Sequence, residues 1–72
     1  MGIQSAKEFG AAVRARRRKL GYTQSQLAGA AGTSLMFVSQ LENGKETAQL
    51  GKALRVANMI GIDVDLTGRG ER

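Results

Sequence analysis

Apolar residues along the chain recur at three-to-four spacing in four separate runs, and the period changes to strict alternation only after residue 61. Phe9, Ala12, Val13 and Leu20 form the first run and predict a helix over residues 6–20, with Ser5 as its cap, Glu8 closing a capping box and Gly21 as its stop. Leu27, Ala28 and Ala31 predict a second helix over residues 23–31, capped by Thr23 with Gln26 completing another capping box. Its small Ala28, Ala30 and Ala31 positions suit a close helix–helix approach. Phe37, Val38 and Leu41 predict a third helix over residues 34–43, started by Thr33 or Ser34 and ended by Gly44. The fourth run, Leu50, Ala53, Leu54, Ala57 and Ile60, predicts a helix capped by Thr47 and stopped at Gly61. Ile62, Val64 and Leu66 then alternate with Asp63, Asp65 and Thr67, the signature of a short strand over residues 62–67.

The second and third helices are joined only by a turn at Gly32, where a tight reversal needs a positive φ. Helices joined so closely cross at a steep angle, which is the geometry of a DNA-reading helix-turn-helix at residues 23–44. The expected fold class is therefore all-α, a bundle of four to five short helices plus one C-terminal strand, in a single domain over residues 1–72. On the third helix, Phe37, Val38 and Leu41 face the core, while Leu35, Met36, Ser39, Gln40 and Asn43 face outward. Adjacent large apolar residues on an exposed face call for a partner surface.

Size and composition point to a second copy of the chain. At 72 residues without cysteine, the domain has neither disulfides nor zinc–thiolate sites to reinforce a small core. A lone strand also has no partner in its own chain, so Ile62, Val64 and Leu66 are expected to pair with the same strand of another copy, making a homodimer. Helix 4 is a further candidate for that contact. Histidine is absent as well, and no Ser–Lys pair is positioned to act, so the chain is not expected to be an enzyme. Gly44-Lys45 and Gly51-Lys52 lack the following Ser or Thr of a phosphate-binding loop. No metal site, cofactor or small-molecule substrate is expected. No apolar run approaches the ~18–20 residues of a membrane span, and no signal-peptide pattern follows the start, so a cytoplasmic, nucleoid-associated protein is expected.

Charge adds a location. The net charge is +5, and residues 1–20 hold all of it, with six basic side chains against Glu8. Such a cluster suits a polyanion, nucleic acid or an anionic membrane surface, or else a solvated helix C-terminus whose dipole favours cations. Arg17 lies at the margin of the buried face of this helix, while Arg14 and Arg18 point outward.

Thr23-Gln24, Leu27-Ala28, Ala31-Gly32 and Leu41-Glu42-Asn43-Gly44-Lys45 resemble the Cro/C1-type (XRE) helix-turn-helix family of bacterial and phage regulators, over about residues 9–61. Within that family, Phe37-Val38, the run from Leu41 to Ala48, Leu50-Gly51-Lys52 and the ending Ile62-Asp63-Val64-Asp65-Leu66 are similar to HipB-type antitoxins. The resemblance implies a lambda-repressor-like bundle that binds double-stranded operator DNA as a homodimer and represses its own operon. It also implies a HipA-like serine/threonine kinase toxin as partner; a phage-type or stand-alone regulator of the same family has no such partner. By the same resemblance, Gln24 binds a phosphate and braces the recognition helix, and Thr23, Lys45 and the amides around Asn43-Gly44 lie at the DNA. Ser34, Leu35, Met36, Ser39 and Gln40 face the major groove, with Gln40 able to pair with adenine. Arg17 and Glu42 form a structural ion pair, which leaves Arg14, Arg16, Arg18 and Lys19 for solvent or phosphates. Many family members carry polar residues where this chain has Leu35-Met36. Groove contact is the favoured reading of that pair, contact with a protein the alternative, and specificity then rests on Ser34, Ser39 and Gln40 and on DNA deformability.

Overall fold

Three of the four helices start where a side-chain oxygen replaces a missing backbone partner. The computed structural model describes residues 2–70 and places helices at Ala6–Lys19 (α1), Gln24–Ala31 (α2), Leu35–Glu42 (α3) and Leu50–Met59 (α4). Ser5, Thr23 and Ser34 accept the N–H of Glu8, Gln26 and Phe37 respectively, each at 3.0 Å. Thr23 and Gln26 complete their capping box, with Gln26 accepting the Thr23 N–H at 2.9 Å. Glu8 reaches one residue further than expected: its carboxylate accepts the N–H of Gln4, not of Ser5.

All four helices end in the same closure. The residue after Gly21, Gly32, Gly44 or Gly61 donates its N–H back across the last turn, to Arg17, Ala28, Gln40 and Ala57 in turn. At Gly32 the backbone sits at φ 69°, which helps turn α2 into α3 over three residues, Gly32 to Ser34.

The core is one cluster of Val13, Leu27, Ala28, Ala31, Val38, Leu41, Ala53, Val56 and Ile60, with Phe9, Phe37, Ala48 and Ile62 packed against its edge. α3 packs on both α1 and α2, and α4 packs on α2. Lys52 sits over the Phe37 ring, 5.8 Å from its centre, where the ammonium meets the negative face of the ring.

Several expectations need correction. Leu20 is 42% exposed and only caps α1, because Arg17 fills the preceding position on that face and Leu20 lies a turn beyond it. Ala30 is exposed, so of the three alanines only Ala28 and Ala31 are buried. Thr47 caps nothing: residues 45–48 form a turn that brings Ala48 to the core, and α4 starts only after Gln49, which makes no side-chain cap bond. Leu50 is consequently exposed, and Val56 takes a core position that the periodicity had not assigned. Residues 62–68 form no strand in the single chain, since a strand needs a ladder partner and none of the described residues offers one. Ile62 packs on its own core, whereas Val64 and Leu66 are exposed, Leu66 at 95%. No helix among the described residues is long and apolar enough to cross a membrane.

Candidate nucleic-acid interface

The geometry around α3 is set by one carboxylate. Glu42 closes the last turn of α3, where the helix dipole disfavours negative charge, and it is buried among three helices. Arg17 of α1 answers that charge with a two-pronged contact, Nε to Oε2 at 2.6 Å and Nη2 to Oε1 at 3.0 Å. Its remaining Nη1 donates to the Tyr22 carbonyl at 2.8 Å, holding the chain between α1 and α2. Gln24, at the start of α2, donates Nε2 to Glu42 Oε1 at 3.0 Å. The expected Arg17–Glu42 ion pair is thus present, and it spans the elements that fix the attitude of α3. Gln24 braces α3 through this bond, and its carboxamide carries a second N–H for a phosphate oxygen.

Burial alone disfavours ionisation of Glu42, but the hydrogen bonds from Arg17 and Gln24, with the charges of Arg17 and Arg14, outweigh it and hold the carboxyl below its ordinary range. On Arg17 the hydrogen bond to Glu42 outweighs burial and raises the guanidinium further above its usual value. A carboxyl depressed in the folded state stabilises fully above its unfolded pKa, about 4.3, and that contribution is lost as pH falls through the folded value. Glu42→Gln is therefore expected to melt well below the wild type near neutral pH, with the gap closing as the melts are taken to about pH 3. A gap of constant size across that range contradicts the assignment.

The outward face of α3 carries the remaining expected groups. Leu35 and Met36 are 51% and 68% exposed, Ser39 and Gln40 are half-buried, and Asn43 is exposed at the helix end. Ser34 is exposed but its hydroxyl oxygen is engaged in the cap. Lys45 donates Nζ to Gln40 Oε1 at 3.1 Å, so these two side chains form one unit at the edge of the face. Leu35 lines a shallow depression with Arg14, Arg18, Thr23 and Gln24, which brings the start of α3, the start of α2 and the basic flank of α1 onto one surface.

Two basic residues behave differently from expectation. Arg16 is half-buried and donates Nε to the Ile60 carbonyl at 2.8 Å, tying α1 to the end of α4 instead of facing solvent or phosphate. Lys7, not singled out in the sequence, lines a second depression with Arg14, Arg18 and Asn43. Its place was readable from spacing, because Lys7, Arg14 and Arg18 follow one helical stripe with the small Ala11 and Ala15 between them. The interface is thus a recognition face on α3 flanked by Lys7, Arg14 and Arg18 of α1 and by the amide-bearing start of α2, an arrangement suited to phosphates on either side of a groove.

Known proteins agree with this architecture. The helix-turn-helix family profile matches residues 13–66. An uncharacterised HTH-type transcriptional regulator of Sinorhizobium fredii is 43% identical over 70 residues, covering 97% of this chain and 92% of that protein. Among solved structures, HipB in a HipA–HipB–O2–O3 complex superposes with a TM-score of 0.86 at 23% identity, covering 96% of this chain and 97% of that one. The restriction-modification controller protein C.AhdI of Aeromonas hydrophila superposes at 0.72 with 28% identity, over 81% of this chain and 88% of that one.

Proposed function

The chain belongs to the helix-turn-helix family of DNA-binding transcriptional regulators, and we propose that within it the protein is a homodimeric operator-specific repressor serving as the antitoxin of a toxin–antitoxin pair. The observation that carries the DNA-binding part is the continuity of the exposed α3 face with Arg14, Arg18, Thr23 and Gln24. A single surface then offers both a base-reading helix and the cations and amides that hold the backbone beside it. Thr23, Gln24, Asn43 and Lys45 hold phosphates, and Ser34, Leu35, Met36, Ser39 and Gln40 enter the major groove. The protein is not an enzyme; it acts by occupancy.

The dimer reading rests on the C-terminal segment. Val64 and Leu66 are exposed on a stretch that has no ladder partner among the described residues, and a second copy of the same stretch supplies both backbone bonds and apolar cover. Two α3 helices then enter successive major grooves of a palindromic site, about one helical turn apart. The antitoxin reading is supported by the sequence resemblance to HipB-type antitoxins and by fold likeness along nearly the whole chain. Its partner is a HipA-like serine/threonine kinase, restrained in the complex while the same operator represses both genes.

Deleting residues 62–67 is expected to give a monomer in sedimentation and to weaken operator binding, because each half-site then binds alone. A deletion variant that remains dimeric overturns the strand-pairing reading. For the antitoxin role, co-expression with the neighbouring gene product is the direct test. Growth rescue and co-purification support it, and a neighbour that neither binds nor inhibits growth leaves a stand-alone regulator.

A further inference from the structure

The start of the recognition helix offers the groove apolar atoms and little else. Leu35 and Met36 are both exposed there, at 51% and 68%. Several of the polar oxygens around them already accept hydrogen bonds within the fold. The Ser34 hydroxyl oxygen accepts the Phe37 N–H, and the Thr23 hydroxyl oxygen accepts that of Gln26. Gln40 Oε1 accepts from Lys45 Nζ. A base edge facing the first turn of α3 therefore meets mainly carbon and sulfur.

The surroundings say which macromolecule covers this patch. Leu35 shares its depression with Arg14 and Arg18, and among the described residues no acidic side chain lines it. An anionic partner is favoured by that field. The apolar feature that a DNA major groove presents is the C5-methyl group of a pyrimidine.

We infer that Leu35 and Met36 make this protein a reader of C5-methyl groups in its operator, selecting sites by where methyls stand in the groove. This rests on the DNA-binding reading above and sharpens it. Neither side chain can donate to O4 of thymine, and only the Met36 thioether can accept, weakly, from N4 of cytosine, so the contact itself hardly distinguishes thymine from 5-methylcytosine. Uracil and unmethylated cytosine both leave the apolar surface facing a gap. Methylation of a cytosine at such a position strengthens binding.

The test begins with a duplex selected by the wild-type protein from a random pool. Each thymine of one half-site is then replaced in turn by deoxyuridine, which removes only the methyl. At each sensitive position the thymine–adenine pair is also replaced by cytosine–guanine or 5-methylcytosine–guanine. Loss of one well-packed methyl is expected to weaken binding about fourfold. At those positions, 5-methylcytosine is expected to bind more tightly than cytosine by a similar factor. In Leu35→Ala and Met36→Ala, both exposed and so expected to fold, the methyl dependence shrinks toward none. Wild-type binding that is indifferent to deoxyuridine overturns the inference while leaving the DNA-binding reading intact. A methyl dependence that survives both substitutions overturns it too. A protein that selects no duplex overturns the DNA-binding reading, and the inference falls with it.

Discussion

Arg17→Ala is expected to leave the protein only marginally stable near room temperature. The substitution strands Glu42, whose side chain is 2% exposed, without its counter-charge. Removing one partner of a buried pair typically costs about 3–5 kcal/mol, because the remaining charge has lost water, and the one hydrogen bond left to Glu42, from Gln24, does not replace an opposite charge. A whole domain has only about 5–15 kcal/mol in hand, and one this small lies near the lower end. The melting temperature should fall by roughly 15 °C or more. Arg17→Lys recovers little, since an ammonium cannot make the two-pronged contact and reach the Tyr22 carbonyl as well. The double variant Arg17→Met/Glu42→Leu separates charge from shape: it should melt well above Arg17→Ala, because it leaves no unpaired charge behind. Thermal melts of the three variants decide the matter, and a double variant no more stable than Arg17→Ala contradicts the account.

Gly10→Ala is the second large effect, and its origin is steric. A Cβ at this position would lie 2.1 Å from the Leu41 carbonyl oxygen and 2.9 Å from that of Glu42. Both obstacles are backbone, so relief requires α1 and α3 to part. That movement strains the Arg17–Glu42 contact and tilts the recognition helix at once. Overpacking of this kind costs about 1–3 kcal/mol or more, and here it outweighs the gain of up to about 1 kcal/mol from replacing glycine within a helix. Gly29 gives the control, since it lies in α2 with open space where its Cβ would go. Gly29→Ala should raise the melting temperature by a few degrees while Gly10→Ala lowers it. Melts that move in the same direction for both would show that propensity, not helix approach, governs Gly10.

The contrast between these glycines marks what the sequence could reveal. Ser5, Thr23 and Ser34 as starts, and Gly21, Gly32, Gly44 and Gly61 as stops, were legible because capping is decided within a few residues. The helix-turn-helix and the outward face of α3 followed from the same local spacing. The need for glycine at position 10 is set by the backbone of another helix, and spacing along α1 says nothing of it. The start of α4 was misplaced for a related reason: Thr47 has the chemistry of a cap, but burial of Ala48 bends the chain into a turn first. Arg16 looked like one more basic surface residue until the end of α4 placed a carbonyl within its reach. The Arg17–Glu42 pair, distant in sequence, came from family resemblance and not from periodicity. The strand expected over residues 62–67 lacks, in one chain, the partner that defines a strand.

The central claim is that α3 reads bases while α1 and the start of α2 hold phosphates. Its most direct test is the affinity for a selected operator duplex measured across salt concentrations. Wild-type log affinity should fall linearly with log salt, and each of Arg14→Ala and Arg18→Ala should reduce the steepness by about 0.9 without changing sequence preference. Gln40→Ala should leave the steepness unchanged and lose discrimination at one base pair. Arginine variants with an unaltered salt dependence, or a Gln40 variant that keeps full discrimination, contradict this division of labour.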